Sequence, residues 1–425
     1  MRLSDYSTII KEDIYLIHNT LYNSVIKIYG DEEKAFLDSI SKRNSFEYNP
    51  NVELQKALKD MRMIIEDDII ESRIVNYNYI NAKKNYFHVI MMITRQCNFR
   101  CTYCYEDHTS QTMSQDVYKR TISFIKQMVL EKGYNEVIIS FFGGEPTLES
   151  RSVLKFLDEL KNELPEDIII KSNMTTNGYL LNFEMFKSFI ERGITNYQIT
   201  VDGTRENHNK TRFLEGGLGT WDKIINNLKV MKNSEHSFMV TIRTNFTPKS
   251  LETAEEFYKY ISKEFGNDSR FYIHYENVRN LGGDRVNQLE LIDTQNDVDK
   301  YLFGILNKYK LKNNSNVEIF TTLFSMCCYA ASFNSFFVDY DGTLRKCSVI
   351  IDEPSNEVGR LEDNDFELDE VKISNWTSYN LERECFNCNI FPICYGKMCP
   401  NTYLNPTHCE EVRQSYILNI KQKYL

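Results

Sequence analysis

Residues 88–104, HVIMMITRQCNFRCTYC, decide how this chain is read. Residues 88–94 form an apolar, β-rich run, and Cys97, Cys101 and Cys104 follow at once, spaced C-x3-C-x2-C. Three thiolates at that spacing can hold three irons of a cubane iron–sulfur cluster and leave the fourth iron without a protein ligand. An iron with an open position can bind and reduce a small molecule, so these three cysteines are the candidate catalytic ligands. A structural zinc is the alternative, because His108 stands four residues past Cys104 and completes a Cys3His set.

Outward from this loop, strand and helix patterns alternate. Further β-rich runs occur at 136–142, 167–172, 197–201, 238–243 and 270–275. Helical patterns occur between them at 114–130, 151–160, 182–192, 220–231 and 251–265. Six β–α units in a row imply a parallel sheet with right-handed crossovers. Their length suits a partial (β/α)6 TIM-like barrel better than a closed eight-unit one. In such α/β folds chemistry sits at the C-terminal ends of the strands, where the cysteine loop begins.

Three segments result: 1–85 without cysteine, 86–310 with the opening triplet only, and 311–425 with the other eight cysteines. Residues 14–19 and 24–29 read as a hairpin, and 31–41 and 52–61 as helices, so segment 1–85 is expected to be a small winged-helix-like module. Its acids are interleaved with its bases, which argues against a phosphate-binding face; an exposed hairpin edge suits a peptide strand instead.

Composition narrows the rest. The chain has 425 residues, 42% hydrophobic and 26% charged, with net charge −10 and pI about 5.4. That excludes nucleic acid or an anionic membrane as the main partner. The N-terminus has no apolar h-region, and no apolar run approaches a membrane span, so a cytoplasmic location is expected. Eleven cysteines without an export signal point to metal ligands rather than disulfides.

At the end of the second strand stands Phe142-Gly143-Gly144-Glu145-Pro146. Two glycines allow close backbone approach, and a carboxylate sits beside a proline-stiffened turn. The C-x3-C-x2-C loop and this GGEP element together resemble the radical S-adenosylmethionine (SAM) superfamily over about residues 86–280. The resemblance implies a [4Fe-4S] cluster whose open iron chelates SAM. Gly143, Gly144 and Glu145, next to Pro146, would receive its amino group, and Tyr103 would pack near its adenine. Thr176-Asn177-Gly178 matches the family at the third strand's end. Thr200-Val201-Asp202-Gly203 followed by His208-Asn209-Lys210-Thr211-Arg212 looks like its S-x-D-G…H-D-x-x-R stretch, with Thr for Ser and Asn for Asp. Thr200 and Asp202 would serve the ribose, and Arg212 the SAM carboxylate. Arg243 and Asn245 point to the same mouth by strand alternation. The implied chemistry is reductive cleavage of SAM to methionine and a 5′-deoxyadenosyl radical, which abstracts hydrogen from an unactivated C–H bond.

The later cysteines form a second constellation: Cys328, thirteen residues, Gly342, four residues, Cys347; then Cys385-x2-Cys388-x5-Cys394, Cys399 and Cys409. This resembles the SPASM extension, a cysteine-rich domain with two auxiliary iron–sulfur clusters. The resemblance implies Cys328, Cys347 and Cys399 for the first cluster, and Cys385, Cys388, Cys394 and Cys409 for the second. Four residues separate Cys394 from Cys399, where the family pattern has three. Cys327, adjoining Cys328, is either a fourth ligand of the first cluster or a small buried residue. A pair of zinc sites is the alternative.

A winged module, radical SAM core and SPASM extension together resemble maturases of ribosomally made, modified peptides, of the sactipeptide and ranthipeptide type. The implied function is thioether formation from a precursor peptide's cysteines. The implied partners are the precursor, its leader gripped by the N-terminal module, and an external one-electron reductant such as flavodoxin or ferredoxin. Carbon–carbon crosslinking or epimerisation, sulfatase maturation to formylglycine, and a non-enzymatic electron carrier or redox regulator are the alternatives. Sulfatase-maturing relatives carry Asp directly after the cysteine of the G-x4-C element; Ser348 stands there.

Overall fold

The computed structural model describes all residues except 42–51, 83–84, 283–284, 293–294, 313–321, 364, 379–382, 397–398 and 401–405. Contacts gather the chain into two compact units: Lys84–Asn314 with Phe333–Trp376, and Met1–Lys83 with Ser315–Ser332 and Thr377–Leu425.

The first unit is built on six parallel strands, neighbours in space in their order in sequence: Tyr86–Met92, Glu136–Phe142, Ile169–Thr176, Ile194–Thr200, Met239–Phe246 and Phe271–Asn277. Helices Gln115–Lys132, Ser150–Glu163, Phe183–Ile190, Trp221–Lys232 and Ala254–Phe265 fall between them. The expected α/β partial barrel is therefore present. The first strand is buried without interruption from Val89 to Met92, as a parallel strand covered on both faces requires. The first helix starts where Ser114 accepts a hydrogen bond from Val117 N and stops at Gly133, whose φ of 70° only glycine adopts freely.

The sheet continues past its first strand. Ser335–Val338 runs parallel to Tyr86–Met92, and Thr343–Arg345, Glu357–Leu361 and Phe366–Leu368 follow antiparallel. Sequence reading placed this stretch in the cysteine-rich segment without resolving strands. Its anchor is aromatic: Phe336 sits 6.1 Å from Phe87 and 5.5 Å from Phe124, ring to ring. His88 bridges the same strands, with Nε2 2.9 Å from Ser140 Oγ and Nδ1 3.2 Å from Ser335 Oγ. This extension carries Cys347.

The second unit opens with an antiparallel sheet of Ser7–Lys11, Tyr15–Asn19 and Ser24–Ile28, then helices Asp31–Ile40, Val52–Asp60 and Glu71–Asn81. The hairpin and the first two helices match expectation. The strand Ser7–Lys11 escaped notice because only Ile10 in it is buried, so it shows no alternation. The sheet shares its core with the C-terminal segment: Ile10 and Leu16 pack with Ile390, Ile393, Cys394, Tyr416 and Ile420. His18 Nδ1 lies 2.7 Å from Tyr416 Oη, and Tyr395 Oη donates to Asn76 Oδ1 at 2.5 Å. Among the described residues no helix is long and apolar enough to cross a membrane.

Candidate active site

The cysteine loop is clamped from two sides. Arg100 N donates to Phe213 O and Thr102 N to Thr211 O, both at 2.9 Å, so the loop runs beside the segment that carries Arg212. On the other side Gly144 N reaches Thr94 O at 3.0 Å and Glu145 N reaches Gln96 O at 2.8 Å. A side chain at Gly144 would put its Cβ 2.2 Å from Gln96 O and 2.8 Å from Arg95 O. Those are backbone atoms and cannot swing away. Gly144→Ala is therefore expected to push the loop out by roughly an ångström and cut SAM cleavage about 100-fold. A 5′-deoxyadenosine assay checks this, and wild-type turnover would refute the close-approach account.

Glu145 is braced within the chain. It is fully buried, and its carboxylate accepts from Thr147 N at 2.9 Å, Thr147 Oγ1 at 2.5 Å, Thr176 Oγ1 at 2.6 Å and Asn177 N at 2.7 Å. It thus ties the ends of the second and third strands together. Pro146 starts the short turn that holds Thr147 there. Asn177 passes the brace on, its Nδ2 donating to Asn98 Oδ1 within the cysteine loop at 2.8 Å.

Tyr103, Asp202, Arg212 and Asn245 meet at one point. The Tyr103 hydroxyl donates to Asp202 Oδ2 and accepts from Arg212 Nη1 at 2.8 Å and Asn245 Nδ2 at 3.1 Å. Asp202 Oδ1 accepts from Asn245 N at 2.8 Å, and Arg243 Nε donates to Asn245 Oδ1 at 3.1 Å. Thr200 closes the fourth strand opposite Arg243. Sequence reading named all of these and did not foresee that the phenol hydroxyl joins them. Burial raises the Asp202 carboxyl, with the Arg212 guanidinium opposing that rise.

His208 holds the arrangement from behind. Asp202 N can only donate, so His208 Nδ1, 3.1 Å away, accepts and carries no proton. Nε2–H then donates to Thr220 Oγ1 at 2.9 Å, and that hydroxyl donates to Arg212 O at 2.8 Å. Burial and the nearby Arg212 charge hold this imidazole well below its usual range, hence neutral. Asn209, in place of the family Asp, accepts from Thr220 N and Trp221 N at 2.9 and 3.0 Å and starts the next helix.

The donor set fits an iron–sulfur cluster. Burial pushes Cys97 and Cys101 up and Cys104 to about 12, so these thiols ionise only against a bound cationic centre. Phe99 N points at Cys97 Sγ, Val349 N at Cys347 Sγ and Gly396 N at Cys394 Sγ, each at 3.4 Å. A backbone N–H two residues on, aimed at sulfur, favours the thiolate a metal needs. Buried Arg212 Nε, Thr102 Oγ1 and Glu106 Oε2 have no hydrogen-bond partner among the described residues, which suits a site built for a ligand. No three His, Cys, Asp or Glu side chains among the described residues close on one ion.

Cys347 is held by a residue the sequence did not flag. Asn356 Oδ1 accepts from Lys346 N at 3.0 Å and Cys347 N at 2.8 Å, while its Nδ2 donates to Cys347 O and Ile350 O at 2.8 and 2.9 Å. Tyr105 Oη donates to Ser348 O at 3.2 Å, joining this loop to the opening triplet's. The other seven late cysteines lie in the second unit: Cys327, Cys328, Cys385, Cys388, Cys394, Cys399 and Cys409.

The strand-end triplet, the glycine pair beside it and the buried Asp–Tyr–Arg hub lie at one end of the six parallel strands. Residues 91–261 match the Radical SAM superfamily. The chain is similar to the cysteine-type anaerobic sulfatase-maturating enzyme of Clostridium novyi (strain NT), 24% identical over 79% of this chain and 95% of that protein. It is also similar to the radical SAM cyclopropyl synthase TigE of Paramaledivibacter caminithermalis, 22% identical over 55% of each chain. Among solved structures, anSMEcpe with bound AdoMet and Cp18Cys peptide aligns with TM-score 0.59 and 18% identity over 79% of this chain and 97% of that one. Streptococcus suis SuiB bound to precursor peptide SuiA aligns with TM-score 0.51 and 13% identity over 95% and 97%.

Proposed function

We propose that this protein is a radical SAM enzyme that modifies a ribosomally made precursor peptide by forming thioethers from the peptide's own cysteines. The observation that carries the reading is a cavity of about 300 Å³ in the sheet unit. Tyr105, Glu106 and Asp107, just past Cys104, line one side, and residues 349–353, just past Cys347, line another. A chamber between two cysteine loops is the place for a peptide side chain to meet both a radical source and a thiol-binding centre.

Cys97, Cys101 and Cys104 would hold the [4Fe-4S] cluster, which with SAM bound would supply a hydrogen-abstracting radical. Arg212 would pair with the SAM carboxylate, and Gly143, Gly144 and Glu145 would receive its amino group. Thr200 and Asp202 would take the ribose hydroxyls. Tyr103 would pack near the adenine, while Asn177 keeps the cysteine loop in place. The late cysteines would hold two auxiliary clusters. In the net reaction one hydrogen atom would leave the peptide with 5′-deoxyadenosine, the thiol proton would go to solvent, and one electron would leave by way of an auxiliary cluster. Flavodoxin or ferredoxin supplies the electron that cleaves SAM, and the setting is the cytoplasm. Neither nucleic acid nor membrane is a partner. The outer strands of the three-stranded sheet bind the precursor's leader by strand addition.

Similarity to sulfatase-maturating enzymes favours a second reading, formylglycine formation; Ser348, where those relatives carry Asp, weighs against it. Mass spectrometry of a cysteine-containing precursor treated with reduced holoenzyme and SAM separates them. Two hydrogens and one free thiol lost per crosslink is the expected result. Loss of sulfur from one cysteine would replace the proposal with formylglycine chemistry. Loss of two hydrogens with every thiol retained would replace it with carbon–carbon crosslinking.

A further inference from the structure

We propose that the adjacent cysteines Cys327 and Cys328 serve different centres, Cys327 completing a four-thiolate set with Cys385, Cys388 and Cys394. The inference rests on the auxiliary-cluster reading above and fixes which thiols make the second cluster. All of its observations lie within one compact unit.

The chain leading into Cys327 is bonded to the turn that carries Cys394. Phe324 N donates to Pro392 O at 3.0 Å and Met326 N to Ile393 O at 3.1 Å. The Cys327 thiol continues the series by reaching Cys394 O at 3.4 Å. Cys327, Cys385 and Cys388 pack against one apolar core of Tyr6, Leu21, Val75, Phe391 and Tyr395. Cys394 belongs to the adjoining core, and Cys388 packs against that one too.

Cys409 stands apart from this set: it lies in the helix Pro406–Tyr424 and belongs to neither of the two apolar cores that hold the other four thiols. Cys328 caps the short turn Tyr329–Ala331 with extended backbone, whereas Cys327 N is tied back to Phe324 O at 3.1 Å, so the two neighbours belong to different turns. Of the pair, Cys327 is the one tied to the turn that carries Cys394.

The test is anaerobic reconstitution of full-length wild type and the variants Cys327→Ala, Cys347→Ala, Cys394→Ala and Cys409→Ala, read by iron, acid-labile sulfide and the EPR spectrum of the reduced protein. Wild type should bind about twelve irons and Cys327→Ala about eight, as one cubane is lost. The signal missing in Cys327→Ala should be the one missing in Cys394→Ala and still present in Cys347→Ala. Cys409→Ala should keep the wild-type count. Persistence of the SAM-binding cluster's signal in each variant controls for folding. Cys327→Ser, whose oxygen is a weaker ligand, should keep the cluster with a shifted signal. A wild-type iron count in Cys327→Ala, or loss there of the Cys347-dependent signal, overturns the inference and leaves the auxiliary-cluster reading standing. Wild type with only about four irons removes that reading itself.

Discussion

Cys101→Ala should abolish SAM cleavage and lower bound iron by about four per chain, while the iron proposed for the late cysteines remains. Cys101 is 8% exposed, the most enclosed of the three, and lies under the influence of the buried Arg212 charge. Its neighbours Cys97 and Cys104 are protonated without a cation, so two surviving thiols have little to offer a cluster. The loop itself should survive, because Phe213 O and Thr211 O hold Arg100 N and Thr102 N whatever stands at position 101. Assay of 5′-deoxyadenosine together with iron counting decides the matter. Continued cleavage in the variant would place the radical source elsewhere in the chain.

Arg212→Leu is the second large effect. Asp202 is 1% exposed and Arg212 8% exposed, with the Tyr103 hydroxyl between them. Removing the cation strands a buried carboxylate, a loss of about 3–5 kcal/mol in unfolding free energy. On the proposed pairing of Arg212 with the SAM carboxylate, cleavage should also fall, with a higher KM for SAM. Arg212→Lys restores the charge without the planar fork, so it should recover most of the stability and little of the KM. Equal recovery of both would mean that the guanidinium acts only as a structural counter-ion. Thermal unfolding and SAM titration of the three proteins supply the readout.

The six barrel strands were legible as short apolar runs separated by helical patterns, and the first five carry site residues at the end where the sheet opens. The site residues were legible for the same reason: Cys97, Gly143, Asn177, Asp202 and Asn245 all lie at or just beyond the ends of the first five strands. What the sequence hid is pairing at a distance. Nothing near Asn356 announces that its amide shapes the Cys347 loop, and nothing at His208 announces a bond to Thr220. Such contacts leave no periodic trace. Glu145 shows the reverse limit. Its motif marks the right place, but the direction of its carboxylate depends on Thr147 and Thr176, and the latter belongs to another strand. The strand Ser335–Val338 went unread because its four residues are buried throughout and give neither a helical nor an alternating pattern.

The shared core of the first and last segments bears on how the chain is made. His18 and Tyr416 are 398 residues apart in sequence and form one buried hydrogen bond. During synthesis the N-terminal sheet therefore waits, with Ile10 and Leu16 uncovered, until Ile390, Ile393, Tyr416 and Ile420 have emerged. Closing so long a loop is slow, although the entropic penalty grows only logarithmically with length. The six parallel strands of the sheet unit pair in the order in which they emerge, although Ser335–Val338 reaches the first of them much later. The opening triplet's loop can thus form while Ile10 and Leu16 still lack their cover, and a chain lacking Tyr416 and Ile420 should be aggregation-prone at its N-terminal sheet.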